Sequence, residues 1–438
     1  MTTAVAPSPV GAGLSVAASD TLGAQLKDSA RVAELRRAGA SASAKMSMPA
    51  RVDRPWKYLD LTNFHLDPYA SAMDEPVHHA ANILKANYGL SSASGSVLVQ
   101  VDGRTVLNEN TVAGLTVSDF TEATGNAAKA IEEHLGATVL PTRTLFTALH
   151  YAFLRGGVII HADANAETSS PVRIVRDFPT EKQFGAPHTL IVTGANSRIS
   201  VIEDLRSGEG DMVIVPIVEV VPGPGSEIRY TVLHRWGAKT QVFSEQRTVT
   251  TRDSALINLS LATGGAVVKS HIESSLEGRG SSSELYALCL GDAQQHIDFY
   301  TRQDHVGPDT RSDLLFKSAL MESSRAVYYG MTRVGLGAKN ADANQANRNL
   351  LMSHQAKADS DPVLEILTNN VIRVSHGATA GPVDEEQLYY LQARGIPRNE
   401  AEALLVWGFL SEVMDRVPDE ALREELSVAL QQKLEARK

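Results

Sequence analysis

A β-solenoid core with helical ends is the fold class this sequence predicts, and three observations carry it. Short apolar runs such as Val158-Ile159-Ile160, Leu190-Ile191-Val192, Met212 to Val215 and Ile257-Asn258-Leu259 recur between Gly156 and about Ile372, separated by Gly, Asn, Asp and Ser. Small and polar residues (Ser254, Asn258, Ser260, Thr263, Ser270) sit inside these strand-like stretches, as expected where stacked coils align side chains in ladders. On either side of this region the apolar period changes to three or four residues. A spacing of roughly 10 to 18 residues between runs also fits a pair of packed sheets, and no sharp repeat motif marks the coils. The polar residues within strands favour the solenoid.

The elements follow in order. Residues 1–18 are Ala, Ser, Pro and Gly with little to pack and read as a disordered lead-in. From Ser19, the spacing of Leu22, Leu26, Ala30 and Ala33, with Asp20 early and Arg36 and Arg37 late, predicts a short amphipathic helix. Gly39 to Pro49 reads as a linker. Further helical patterns run from about Val117 to Leu135 and from Thr142 to Leu154, where Leu145, Leu149, Ala152 and Phe153 share a face. An N-terminal helix-containing domain over 19–155 thus precedes a β core over 156–374. A C-terminal helical domain over 375–438 follows. In it Asp384 caps a helix through Ala393, Gly395 closes it, Pro397 opens a helix to Arg416, and Pro418 starts the last one.

The 438 residues suffice for two or three units with a real core. With 43% hydrophobic and 21% charged residues, and no apolar run long enough to span a bilayer, a transmembrane protein is not expected. A net charge of −10 argues against broad electrostatic binding to nucleic acid or anionic membrane. The N-terminus lacks the pattern of a secretory signal, so the cytoplasm is the expected compartment, in keeping with a single cysteine. That residue, Cys289, cannot alone build a thiolate metal site.

Four strings invite chemistry. Thr263 to Ser270 (TGGAVVKS) resembles a phosphate loop but has Val268 where glycine must precede the lysine, so a strand is the better reading. His296, Asp298 and His305 offer imidazole and carboxylate to a metal, against a competing reading as hydrogen-bonded core groups. Gly335 and Gly337 lack the rest of a dinucleotide fingerprint. The most distinctive string is Val374 to Gly381 (VSHGATAG), where the β texture gives way to helix. His376 is reachable there, unless the segment is a turn in which the imidazole bonds backbone.

Around this string the chain resembles the SufB/SufD family of iron–sulfur cluster assembly proteins. The resemblance extends over Arg51 to Leu61 (RVDRPWKYLDL), with Pro55 and Leu59 departing from the usual Glu and Thr. It continues through Leu145 to His161, with His150 where Asn is common, and through Gln294 to Val334, then ANQANRNLLMS, DPVLEI and the run to Pro397. It implies a right-handed parallel β-helix flanked by helical domains. Gly377 stands where SufB-like chains carry Glu, and Leu391 lies near where they carry Cys, which implies the SufD branch. The resemblance further implies pairing with SufB through the β-helix cores and docking of the SufC ATPase on the C-terminal helices, with ATP hydrolysis in SufC. The chain itself is then a non-catalytic scaffold.

By the same resemblance His376 is a metal ligand for a nascent cluster shared with SufB, held transiently and not by this chain alone. Val374 replaces a cysteine common in SufD chains. Tyr389, Tyr390, Arg394, Ile396, Pro397 and Trp407 are the candidate SufC contacts, against a competing role in helix packing. A sulfur-donor protein is a further expected partner, and a homodimer is expected where SufB is missing. The rival classes are a β-helix hydrolase or lyase acting on carbohydrate and a SufB-like homodimeric cluster scaffold. With 5% aromatic residues, a carbohydrate groove is poorly supplied.

Overall fold

The computed structural model describes residues 10–72, 81–90, 95–417 and 420–435. Its core is a solenoid in which the chain alternates between two sheets, so every second strand pairs in parallel with the strand two earlier. One sheet runs from Val172–Phe178 through Arg198–Ser207, Glu227–Arg235, Ala255–Ala262, Ser282–Gly291, Arg311–Leu320 and Ala341–Leu351 to Val371–Pro382. The other runs from Gly157–Ala162 through His188–Thr193, Ile217–Val221, Thr240–Thr250, Val267–Leu276, His296–His305 and Arg325–Val334 to Lys357–Ile366. The stacked parallel coils answer the solenoid expectation and dispose of the packed-sheet alternative.

Strand alternation separates lumen from flanks. Leu256, Val268 and Val242 point inward to the core between the sheets, whereas Leu259, Leu261, Leu288 and Leu315 point outward and are covered by helix Arg398–Met414 through Val406, Leu410 and Val413. On the opposite flank Trp56 stacks on Phe146 (5.5 Å) and packs against Phe243, with the Lys269 ammonium over its ring. The helical parts therefore lie on the two flanks of the solenoid, not across its end.

The coils turn at one corner through a residue in the left-handed region. Asn165, Asn196, Gly225, Asp253, Gly280, Asp309 and Asn340 all have φ between 55° and 73°. Each donates its N–H to a carbonyl of the next coil, from Ala195 and Pro224 through to Asn370. Asn, Asp and Gly are the residues that accept this conformation at least cost. Their spacing, 27 residues from 253 to 280 and 31 from 165 to 196, is the length of one coil. This is the repeat that no fixed motif betrays in the sequence.

Four boundaries differ from expectation. Of the lead-in read over 1–18, residues 1–9 lie outside the described residues, and the rest is not a loose tail: Leu14 is buried, and Ser15 caps helix Val16–Leu26 by accepting from the Ala18 N–H. The linker read from Gly39 belongs in part to helix Ala30–Ser43, because Gly39 lets that helix touch helix Leu145–Ala152, where a Cβ would lie 2.5 Å from the Ala148 carbonyl. The helix read from Val117 is a strand, Leu115–Asp119, followed by helix Gly125–His134. The β core extends past 374 to Pro382. The C-terminal punctuation holds: Asp384 Oδ1 accepts from the Glu386 and Gln387 N–H groups, Gly395 has φ +87°, and Pro397 precedes helix Arg398–Met414. Pro418 lies outside the described residues.

A buried polar lock holds the N-terminal region on the first coils. Glu219 accepts from the N–H groups of Gly136 (2.7 Å), Thr138 (2.8 Å) and Val139 (3.0 Å) and from the Thr138 hydroxyl. His188 Nε2 lies 3.2 Å from the same carboxylate, and His188 Nδ1 lies 3.0 Å from His150 Nε2. His150 Nδ1 in turn meets the Val215 carbonyl at 2.7 Å. Burial alone would raise the pKa of Glu219, but the His188 contact and these donors outweigh it and hold it below the usual range.

Candidate functional site

The two ends of the solenoid are finished differently. At the first end, Arg104–Glu109 and Leu115–Asp119 pair antiparallel with their neighbours and form the sheet edges. At the other, Lys357–Ile366 and Val371–Pro382 are the last strands of the two sheets, and among the described residues neither has a neighbour on its outer side. Two parallel strand edges of ten and twelve residues are thus left side by side, each a template for another chain.

His376 sits in the middle of the second of these strands and is exposed. The segment is strand, not the turn that one reading required. Small residues flank it because the edge is uncovered: a Cβ on Gly377 or Gly381 would meet nothing within 4 Å. The register places His376 directly beside Gln345, an inward-facing residue of the preceding coil. The imidazole therefore belongs to the lumen side of the open end.

Beneath it lies a polar floor. Gln345 Oε1 accepts from the Thr332 hydroxyl (3.1 Å) and its amide donates to the Gly330 carbonyl (3.2 Å). Asn349 donates to Asn347 Oδ1 (2.7 Å), which also accepts from Ser360 of the last coil. In the two preceding coils the same positions are apolar: Leu314 and Leu285 precede Gln345, and Phe316 and Ala287 precede Asn347. The core turns from hydrocarbon to amide where it approaches the opening, as a surface that meets water or a polar partner requires.

The other sequence candidates are placed elsewhere. His296 and Asp298 do share an outward face, but Asp298 Oδ1 is engaged by Lys269 Nζ at 2.8 Å, and the pair is buried. That bond also accounts for the lysine of the loop-like string, which lies in strand Val267–Leu276. His305 faces the lumen and is satisfied by Thr310 and Ser312, each at 2.8 Å. Cys289 is buried in the lumen beside Ser318, and burial pushes its thiol up to about 12. Among the described residues no three His, Cys, Asp or Glu side chains converge as a metal-binding group.

The six candidate docking residues separate. Tyr389 is 73% and Tyr390 58% exposed on helix Glu385–Ala393, in which Leu388 is the buried residue. Arg394 is exposed and lies over the Tyr390 ring. Pro397 is exposed and Ile396 half-buried, whereas Trp407 packs against the core under helix Arg398–Met414. A shallow cleft of about 390 Å³ lies beside Tyr390, lined also by Leu391 and Leu405.

Sequence reasoning missed the residues that secure the open end. Lys57 Nζ (3.0 Å) and the Tyr58 hydroxyl (2.8 Å) both reach Asp361 Oδ2 on strand Lys357–Ile366, and Arg54 lies over the Tyr329 ring. The string RPWKY was visible, but its role as a strap across several coils depends on contacts distant in sequence.

Comparison with known proteins finds several relatives. The chain is 28% identical over 292 residues to the iron–sulfur cluster assembly protein SufD of Bacillus subtilis, covering 66% of each chain. It is 27% identical over 330 residues to an iron–sulfur cluster assembly SufBD family protein of Mycobacterium tuberculosis, covering 74% of this chain and 82% of that one. With the iron–sulfur cluster assembly protein SufB of Bacillus subtilis it shares 25% over 309 residues, covering 70% of this chain and 66% of that one. Residues 178–409 match the family described as SUF system FeS cluster assembly, SufBD core domain, and the chain, a solenoid with one open end and helices on its flanks, belongs to that family.

Proposed function

We propose that this chain is a SufD-type scaffold subunit, which pairs through its open solenoid end with SufB and carries SufC on its C-terminal helices. The observation that carries this reading is the pair of unpartnered strand edges, Lys357–Ile366 and Val371–Pro382, with His376 exposed between a polar floor and the opening. Imidazole is an acceptable iron ligand, and an exposed one at a seam can share a nascent cluster with ligands from the facing chain. The iron and sulfide are cargo, delivered by a separate sulfur donor and an iron source. Tyr389, Tyr390 and Arg394 supply an aromatic and guanidinium surface of the kind that anchors protein partners, here SufC. ATP hydrolysis then resides in SufC, and this chain contributes no catalytic group of its own.

The match to SufB supports a second reading, a SufB-like scaffold that holds a cluster as a homodimer. The single buried thiol and the absence of a carboxylate at Gly377 weigh toward the SufD role. One experiment separates them. The full chain is purified alone and after co-expression with SufB and SufC, and iron and sulfide are assayed in each. The SufD role requires a colourless protein alone, a complex with both partners, and a loss of iron and sulfide in the His376→Ala complex while the assembly persists. A stoichiometric cluster on the isolated chain overturns it, and unchanged cluster content in the variant removes His376 from the site.

A further inference from the structure

One layer of the solenoid lumen is polar although it lies far from the open end. Gln246 and Thr248 on strand Thr240–Thr250, and Asn258 and Ser260 on strand Ala255–Ala262, are all at most 6% exposed. They alternate with outward residues in the same phase as the core residues Val242 and Leu256, so they point into the lumen. Their columns face each other. Thr248 stacks in register under Ser274, Gln303 and Thr332, and Asn258 under Leu285, Leu314 and Gln345, and the Thr332–Gln345 hydrogen bond crosses the lumen between those two columns.

Above and below, the layer is sealed. On one side the same positions are Val218, Val220, Tyr230 and Val232. On the other they are Ile272, Leu285, Ala287 and Ser274, whose hydroxyl is engaged by Ser283 at 3.0 Å. Five polar atoms of the layer, Gln246 Nε2, Thr248 Oγ1, Asn258 Oδ1, Asn258 Nδ2 and Ser260 Oγ, have no hydrogen-bond partner among the described residues.

We infer that this layer is a closed hydration site, in which ordered water bridges Gln246, Thr248, Asn258 and Ser260 inside the solenoid. A buried amide or hydroxyl without a partner is costly, and native interiors relieve that cost with water wherever several polar groups converge. The groups suit water: the carboxamides and hydroxyls present donors and acceptors together, and all four side chains are neutral, which does not favour an ion. The coils on either side isolate the site from solvent, so its water exchanges slowly.

The test uses the full chain. A high-resolution crystal structure is expected to show ordered water within hydrogen-bond reach of at least two of the five atoms. Oxygen-17 relaxation dispersion is expected to show long-lived internal water whose signal falls in Asn258→Leu and falls further when Thr248→Val is added. Should Asn258→Leu not fold, Ser260→Ala with Thr248→Val carries the same expectation. A dry layer in which the Asn258 and Gln246 amides turn to bond backbone carbonyls, with the relaxation signal unchanged by the substitutions, overturns the inference.

Discussion

The Lys57 ammonium lies 3.0 Å from the Asp361 carboxylate, so a residue from the N-terminal part of the chain holds Lys357–Ile366, the last strand of its sheet. Tyr58 bonds the same oxygen, and the Arg325 guanidinium lies over the Tyr58 ring. The strand is thus fixed on its flank face, while its unpaired edge stays open among the described residues.

Burial would raise the Asp361 pKa, but the bonds from Lys57 and Tyr58 outweigh it and lower the value. A carboxyl with a lowered folded-state pKa stabilises above its unfolded value and loses that contribution as pH falls through the folded one. Asp361→Asn is therefore expected to speed amide exchange in 357–366 near neutral pH. In the parent chain the same strand should loosen below about pH 4, the ordinary carboxyl range. Hydrogen exchange read by mass spectrometry checks both.

Lys269 and Asp298 form an ion pair with both side chains 2% exposed. Removing one partner of such a pair leaves a buried charge and costs about 3–5 kcal/mol, whereas replacing both with apolar groups is near neutral. Lys269→Met should lower stability by that amount in urea titrations, and adding Asp298→Leu should recover most of it. If Lys269 instead served a nucleotide, the single variant would change nucleotide binding and leave stability nearly untouched.

Glu219→Gln should release the N-terminal region from the first coils. The amide cannot accept all the bonds the carboxylate accepts from Gly136, Thr138 and Val139, and it leaves His188 without its charge partner. A cost of about 3–5 kcal/mol is expected. New proteolytic cleavage should appear around 120–140 before the solenoid itself unfolds.

Three buried imidazoles set the acid limit. Burial lowers His234 and His305 to about 4, and burial with the neighbouring His188 drives His150 well below its ordinary value. In each case the unfolded chain binds the proton more readily, so stability is full above about 6.5 and is lost as pH falls toward 4. The loss is on the order of 3 kcal/mol for each of His234 and His305. Thermal melting followed from pH 7.5 to 4.5 should fall steeply, and His305→Gln should flatten part of the slope.

Gly377 points into open space with an ordinary backbone conformation. Gly377→Glu should therefore fold with an unchanged melting temperature while placing a carboxylate on the face of the strand opposite His376. Iron content in the complex with the partner subunits is the readout that distinguishes an added ligand from a neutral change.

The sequence displays the parts of this fold that rest on local chemistry. Val158 to Ile160 and Leu190 to Val192 are β-branched or aliphatic runs buried on both faces, and Asp384, Gly395 and Pro397 punctuate the C-terminal helices where the backbone needs a cap, a left-handed residue and a first-turn proline. It conceals what depends on stacking. Corner residues need only tolerate a left-handed φ, so Asn, Asp and Gly exchange freely from Asn165 to Asn340 and no motif survives. Val371–Pro382 looks like a junction because among the described residues its outer edge has no strand beside it, which permits Gly, Ala and Ser in a strand. His376 could be singled out by its neighbours in the string, but its floor of Gln345, Asn347 and Asn349 comes from a strand thirty residues away in the chain order that only the register reveals.

The placement of the helices on the sides of the coil stack separates two directions of growth. Whatever joins the open edge extends the molecule along its axis, and whatever sits on Tyr389 and Tyr390 adds to its girth. The two surfaces share no residue, so each can be altered by substitution without touching the other.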